Sequence, residues 1–253
     1  MFKIFLMFLG AIFGSFFSAG IYRLRNKKAG FFFGRSICPK CKKKLLARDL
    51  VPIISFLLLQ GKCRFCHKKI AASYFYLEIL SVLAFGMLAF FGSSDLPQLI
   101  WSLVFVLVLI FLGIYDFLFF EIPDVISLPA IILALFSSFF VFTPLNFLES
   151  VIGCMIGGGF FLALVLLSNG RWMGGGDIRL GFLMGILVGW PNILTALFLA
   201  YILGSVISII LLIGNKKHLT DKVPFGTFLS LATFITMLYG DWLVAWYWSI
   251  LTI

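Results

Sequence analysis

QLIWSLVFVLVLIFLGIYD, residues 98–116, runs for eighteen residues without a charge and ends on a carboxylate. At ~1.5 Å of rise per residue such a helix covers ~27 Å, close to the ~30 Å of a bilayer's hydrocarbon layer. The segment therefore reads as a transmembrane helix with an acid at its edge. Working outward, comparable runs fall at roughly 4–22, 74–92, 124–142, 148–168, 177–191, 193–213 and 224–250. The chain of 253 residues is 62% hydrophobic and 12% charged, with a mean hydropathy of +1.13. A soluble domain could not cover that much apolar surface with so few charges. The expected fold is an all-α polytopic membrane protein with about eight transmembrane helices. The sixth span is short, and a break is expected in the last near Gly240-Asp241. The first run lacks a small-residue cleavage site and reads as a retained helix rather than a removed signal peptide.

The net charge of +10 is concentrated. Between Arg23 and Ala72 lie fourteen of the twenty Lys and Arg, against one acid, Asp49. A basic block beside membrane helices stays in the cytoplasm. With 23–72 inside, the loops 117–123, 169–176 and 214–223 are also inside and hold Arg171, Lys216, Lys217 and Lys222. The opposite loops, near 93–97, 143–147 and 192, hold no Lys or Arg, and only Lys3 falls on the wrong side. Both termini are then expected outside. Binding of nucleic acid or anionic lipid is the alternative reading of the block. It is poor in aromatics beyond Phe65 and the Phe31–Phe33 run, which argues against nucleic acid.

Four of the five cysteines sit in this block, as Cys38-Pro-Lys-Cys41 and Cys63-Arg-Phe-Cys66. Two such knuckles at this separation match four-thiolate zinc ribbons, and a metal would supply folding free energy that a small polar insert lacks. Two disulfides are the plainer alternative, disfavoured in a reducing cytoplasm. His67 adjoins Cys66 and reads as a bystander. Cys154, among Gly153 and Gly157, reads as a small packing residue.

The remaining signal lies in the acids: Glu78, Asp116, Glu121, Asp124, Glu149, Asp177 and Asp241. A carboxylate bordering hydrocarbon costs several kcal/mol if charged and unpaired, so each carries a functional hypothesis. Glu149 and Asp241 read as helix caps or loop markers. Asp124 opens an apolar run after Pro123 and reads as an N-cap or as site support. Asp116 and Asp177 end one helix and start another at the same membrane edge. Two acids so placed can share a proton, one activating water while the other polarises a carbonyl. Gly174 and Gly176 precede Asp177 and let a peptide backbone approach it. A flexible turn with Asp177 as its cap is the competing reading.

GIYDFLFFEIPDVISLP (113–129) with GGGD (174–177) resembles the GxGD class of aspartic membrane peptidases. Within that class the chain is similar to the type IV prepilin peptidases. GSFFSAGIYRL (14–24) resembles that family's N-terminal motif, residues 35–78 its zinc-ribbon insert and entry to the second helix, and VPFGTFLSLA (223–232) its P-F-G-P-F-L segment. The chain departs from the pattern at Ser18, where Asn is usual, at Arg25 and Thr227, where Pro is usual, and at Ser73, where Arg is frequent.

The resemblance implies an aspartic endopeptidase that removes a short basic leader from prepilins and pseudopilins at the cytoplasmic face of the bacterial inner membrane. It also implies N-methylation of the new N-terminus from S-adenosylmethionine. Asp116 and Asp177 carry over as the catalytic pair, and Cys38, Cys41, Cys63 and Cys66 as ligands of a structural zinc. Gly174, Gly176, Asp124 and Glu121 support the site, and Gly14, Arg23 and Glu78 are candidates for methyl transfer. Glu121, Asp124 and Asp49 are candidates to meet basic leader residues. The expected organisation is a first helix (1–22), a cytoplasmic zinc-binding insert (23–72) and a multi-helix peptidase domain (73–253). The expected partners are prepilin-like substrates and the lipid bilayer, with no nucleic acid. A peptidase of other signal-like segments lacking the methyltransferase, an ion or proton transporter with paired aspartates, and a non-enzymatic scaffold remain as rivals.

Overall fold

The computed structural model describes residues 1–25, 36–140, 145–214 and 223–251. The Phe31–Phe33 run and Lys216, Lys217 and Lys222 lie outside the described residues. The helices are α1 (Phe2–Arg25), α2 (Ile54–Leu58), α3 (Ala72–Phe91), α4 (Leu96–Phe119), α5 (Asp124–Phe139), α6 (Phe147–Ser168), α7 (Gly175–Val188), α8 (Asn192–Ile213) and α9 (Phe225–Leu251). Among the described residues there is no strand beyond the isolated bridges Ile37–Lys44 and Lys62–Lys69. Six helices, α1, α3, α4, α6, α8 and α9, are long and apolar enough to cross a membrane. Each of the eight apolar runs becomes a helix, but α5 has only 16 residues and α7 only 14. The break expected at Gly240-Asp241 is absent, and α9 runs on. Gly240 continues the helix because Asn192 packs against it and donates from Nδ2 to Asp241 at 2.9 Å.

The chain forms two compact units, Met1–Gly92 and Ser93–Ile253. In the first, α1 lies along α3. A Cβ at Gly10 would sit 2.7 Å from the Ser81 carbonyl oxygen, so glycine lets these two helices approach. The segment between them carries a short 3₁₀ turn (Ala47–Asp49), α2 and the four cysteines.

In the second unit α7 is the central helix. Leu180, Leu183, Met184 and Ile186 are fully buried, as expected of a helix that is apolar all round. It lies along α6 and also meets α5, α8 and α9. Gly153 and Gly157 of α6 face Gly181 and Gly185 of α7. Such paired small residues bring backbones together where lipid supplies no hydrophobic drive and dispersion must do the work. At ~1.5 Å per residue α8 is ~33 Å long, whereas α7 is ~21 Å and α5 ~24 Å. α7 and α8 meet at Gly189–Pro191, and α7 is ~12 Å the shorter of the two.

Candidate active site and metal centre

Asp116 occupies the last turn of α4. The helix stops at Phe120, whose left-handed backbone (φ 56°) lets its N–H donate to the Asp116 carbonyl at 2.8 Å. The Asp116 side chain is 6% exposed. Its Oδ2 accepts the Thr227 N–H at 3.0 Å, and the Thr227 hydroxyl donates to the Gly113 carbonyl at 2.9 Å. Thr227 lies in the first turn of α9, where N–H groups have no partner within the helix. Asp116 thus caps α9 from α4, a position that favours a carboxylate. Gly226 permits the approach, since a Cβ there would lie 3.0 Å from Asp116 Cγ.

Asp177 is the third residue of α7 and half-buried. Its Oδ2 accepts the Gly174 N–H and its own N–H donates to the Gly174 carbonyl, both at 3.2 Å. Each aspartate is therefore tethered by a backbone N–H at a helix start. The two carboxyls line one open cleft of about 1030 Å³. Gly174, Gly175 and Gly176, Glu121, Arg171, Trp172, Tyr201 and Phe225 complete much of its wall. The three glycines differ. A Cβ at Gly176 would press on Ile122 at 3.0 Å, while one at Gly175 would meet nothing within 4 Å. The fold thus leaves bare backbone facing the cleft beside Asp177.

Asp124 does not cap α5. Pro123 is the N-cap, and the Asp124 carboxylate forms an ion pair with Arg179 of α7. The pair ties the start of α5 to the turn of α7 that follows Asp177. Glu149 accepts the Asn146 N–H at 3.2 Å in a capping box, as its reading as a cap anticipates. Three residues at or beside the cleft were not singled out from sequence for this site: Tyr201, which lines it, Thr227, which holds Asp116, and Arg179, which pairs with Asp124. Thr227 had a visible signal as a departure from a motif, and Arg179 as a charge two residues past Asp177.

In the first unit, Cys38, Cys41, Cys63 and Cys66 bring their sulfurs within 4.8 Å of one another. The knuckles are copies: Cys38 N–H donates to Lys43 and Lys42 N–H to Cys38, just as Cys63 donates to Lys68 and His67 to Cys63. His67 holds the left-handed position of Lys42 and points no ligand inward, being exposed. The Cys38 and Cys66 sulfurs are 3.9 Å apart. Zinc–thiolate bonds of ~2.3 Å in a tetrahedron give edges of about 3.8 Å, so the donor set fits that ion. All four are free thiols rather than disulfides. Burial alone would push the Cys38 thiol up, but the Cys41 and Lys40 amides and neighbouring thiols bring it down to about 7. At Cys41 the Lys43 amide acts downward, yet burial and three neighbouring thiols outweigh it, raising the thiol to about 11. Crowded thiols that cannot all ionise alone are what a dication relieves. Asp49 binds Arg64 at 2.7 Å across the insert, which occupies its carboxylate.

Glu78 is buried on α3 and its Oε2 accepts the Ile53 N–H at 2.7 Å. Ile53 has φ +62°, a costly conformation for a β-branched residue. A Cβ at Gly14 would lie 2.8 Å from the Glu78 Cα, so Gly14 is a packing glycine of α1 on α3. Arg23 is buried near the end of α1.

Comparison with known proteins follows the same division. A profile described as "Bacterial Peptidase A24 N-terminal domain" matches residues 8–91. One described as "Type IV leader peptidase family" matches residues 103–209. A protein of Aeromonas salmonicida (strain A449), described as "Prepilin leader peptidase/N-methyltransferase", is 32% identical over 225 residues, covering 85% of this chain and 75% of its own. Proteins of the same description from Vibrio cholerae and Bacillus subtilis (strain 168) are 36% identical over 194 residues and 27% identical over 243 residues. The first covers 70% of this chain and 74% of its own, the second 96% of each. No solved structure matches the chain.

Proposed function

The chain belongs to the type IV leader peptidase family, and from that premise we propose that it is a membrane aspartic endopeptidase. It removes the short basic leader of type IV prepilins and pseudopilins at the cytoplasmic face of the inner membrane. The observation that carries this reading is that Asp116 and Asp177, brought from two helices, line one open cleft. The two acids share one proton and hold a water. The ionised member takes a proton from that water as it attacks the scissile carbonyl, and the other protonates the carbonyl oxygen. Collapse of the tetrahedral species then releases the new amine, with no covalent enzyme intermediate. Bare backbone at Gly174 and Gly175 receives the extended peptide. Gly176, by closing on Ile122, and the Asp124–Arg179 pair hold the α4–α5 corner against α7. Glu121, at the cleft wall, meets basic leader residues. The concentration of Lys and Arg in 23–72 supports the cytoplasmic orientation.

Cys38, Cys41, Cys63 and Cys66 would hold a zinc ion that supplies folding free energy to the 23–72 insert rather than chemistry. The N-methyltransferase half of the relatives' descriptions extends the proposal to methylation of the new N-terminus from S-adenosylmethionine. That extension rests on the family alone. Gly14 is filled by α3 and Glu78 by the Ile53 amide, which does not fit a cradle for that cofactor, so no methyl-transfer step is assigned to them.

The test is cleavage of a prepilin followed by mass spectrometry of the product. Cutting by the wild type and none by folded Asp116→Asn or Asp177→Asn supports the reading, and a product heavier by one methyl group supports methylation. Cutting by either variant removes the paired-acid assignment.

A further inference from the structure

The paired-acid scheme leaves the Tyr201 hydroxyl without a task. Tyr201 lines the same cleft as Asp116 and Asp177. Its height follows from helix geometry. Gly189 turns α7 into α8, and Asp177 lies twelve residues before it and Tyr201 twelve after. At ~1.5 Å per helical residue Asp177 stands ~17 Å from the end of α7 and Tyr201 ~14 Å from the start of α8. Two rings fix the phenol: Phe160 meets it edge-on with centroids 6.0 Å apart, and Phe225 lies at 5.1 Å. Phe225 is the first residue of α9, two before the Thr227 amide that holds Asp116. Tyr201 thus packs on the turn that positions Asp116 and lines the cleft that Asp177 also lines. Among the described residues, none hydrogen-bonds the Tyr201 hydroxyl.

We propose that the Tyr201 hydroxyl is a further hydrogen-bond donor of the reaction, binding the oxygen of the scissile carbonyl as that carbon becomes tetrahedral. The inference rests on the paired-aspartate reading. When water adds, the carbonyl π electrons move onto oxygen, one aspartate takes a proton from the water, and the other gives its proton to that oxygen. Tyr201 keeps its own proton throughout. It supplies a fixed dipole where negative charge develops before proton transfer is complete. A donor already oriented by packing needs no reorganisation at that moment, so it stabilises the transition state more than bulk water does. A tyrosine meets both demands, since apolar neighbours clamp its ring while the same side chain carries a hydroxyl donor at the cleft wall.

The experiment measures kcat and KM for prepilin cleavage by the full chain in detergent, for wild type, Tyr201→Phe and Asp177→Asn. Tyr201→Phe keeps the ring and its packing. It is expected to lower kcat about 10- to 100-fold with KM within about twofold, at or below the loss for one oxyanion donor. A kcat within about twofold of wild type overturns the proposal. So does a loss confined to KM, which would make Tyr201 a ground-state contact. Asp177→Asn separates the two levels: if it still cuts, the paired-acid reading fails. If Asp177→Asn is inactive and Tyr201→Phe is normal, only the role of Tyr201 falls. Should Tyr201→Phe not fold, difluorotyrosine at position 201 has nearly the same shape but ionises near neutrality. Its rate should then fall as pH rises through that ionisation, relative to wild type. A parallel profile overturns the proposal.

Discussion

At Gly185, within α7, a Cβ would lie 2.1 Å from the Gly153 carbonyl oxygen, whereas at Gly175, where the same helix starts, it would meet nothing within 4 Å. The first glycine is needed because two backbones touch. The second is not needed by the folded chain at all. One helix therefore joins a packed half, which holds the unit together, to a bare end that presents a carboxylate and an open strip of backbone. In the proposed function, the open backbone at Gly175 is where the peptide substrate would lie.

If this division holds, the largest effect belongs to the bare end. Asp177→Asn should reduce cleavage on the order of 10³-fold or more, as for loss of a general acid–base group, with an unchanged melting temperature in detergent. A variant that cleaves normally would break the comparison. The packed half should behave the other way. Gly185→Ala forces a methyl group into backbone and should cost about 3 kcal/mol or more, read as a lower melting temperature, while the molecules that remain folded keep their kcat. Gly175→Ala sharpens the contrast. Stability should hold or rise by up to ~1 kcal/mol, because alanine is the better helix former, while KM rises about 3- to 10-fold because the substrate backbone is held off. A Gly175→Ala protein that melts earlier but binds normally would assign that glycine to the fold. The smallest effect is expected at the cleft wall, where Glu121→Gln should raise KM about threefold and leave kcat unchanged, as for a solvated charge contact. Independently, chelation of the cysteine centre should loosen the insert, and Cys63→Ser should lower the bound zinc below one ion per chain.

Helix positions were legible because lipid imposes a single criterion, length of apolar run, that can be read without knowing partners. Residues 98–116 became α4 at Leu96–Phe119, extended only by a terminal turn at each end. The failures came where a distant residue decided the outcome. Gly240-Asp241 looks like a break in isolation and is continuous because Asn192 sits against it. Asp124, open between a cap and site support, is no cap, because Arg179, far along the chain, pairs with its carboxylate. The acids of the cleft were readable because charge beside hydrocarbon is costly and therefore conspicuous. Thr227 and Tyr201 carry no charge, cost little wherever they fall, and acquire meaning only from the carboxylates they stand beside.

The shortness of α7 has a consequence for the substrate. A peptide bond can be cut only when its backbone is extended, and an extended backbone in hydrocarbon leaves N–H and C=O groups unsatisfied at several kcal/mol each. A precursor whose helix entered a full-length bundle would have to unwind against that penalty. In the proposed function, the leader junction would unravel in the open cleft at the start of α7 while the rest of its helix stays in lipid. Selectivity would then fall on how readily a precursor's helix frays at that junction, rather than on how tightly its leader is gripped.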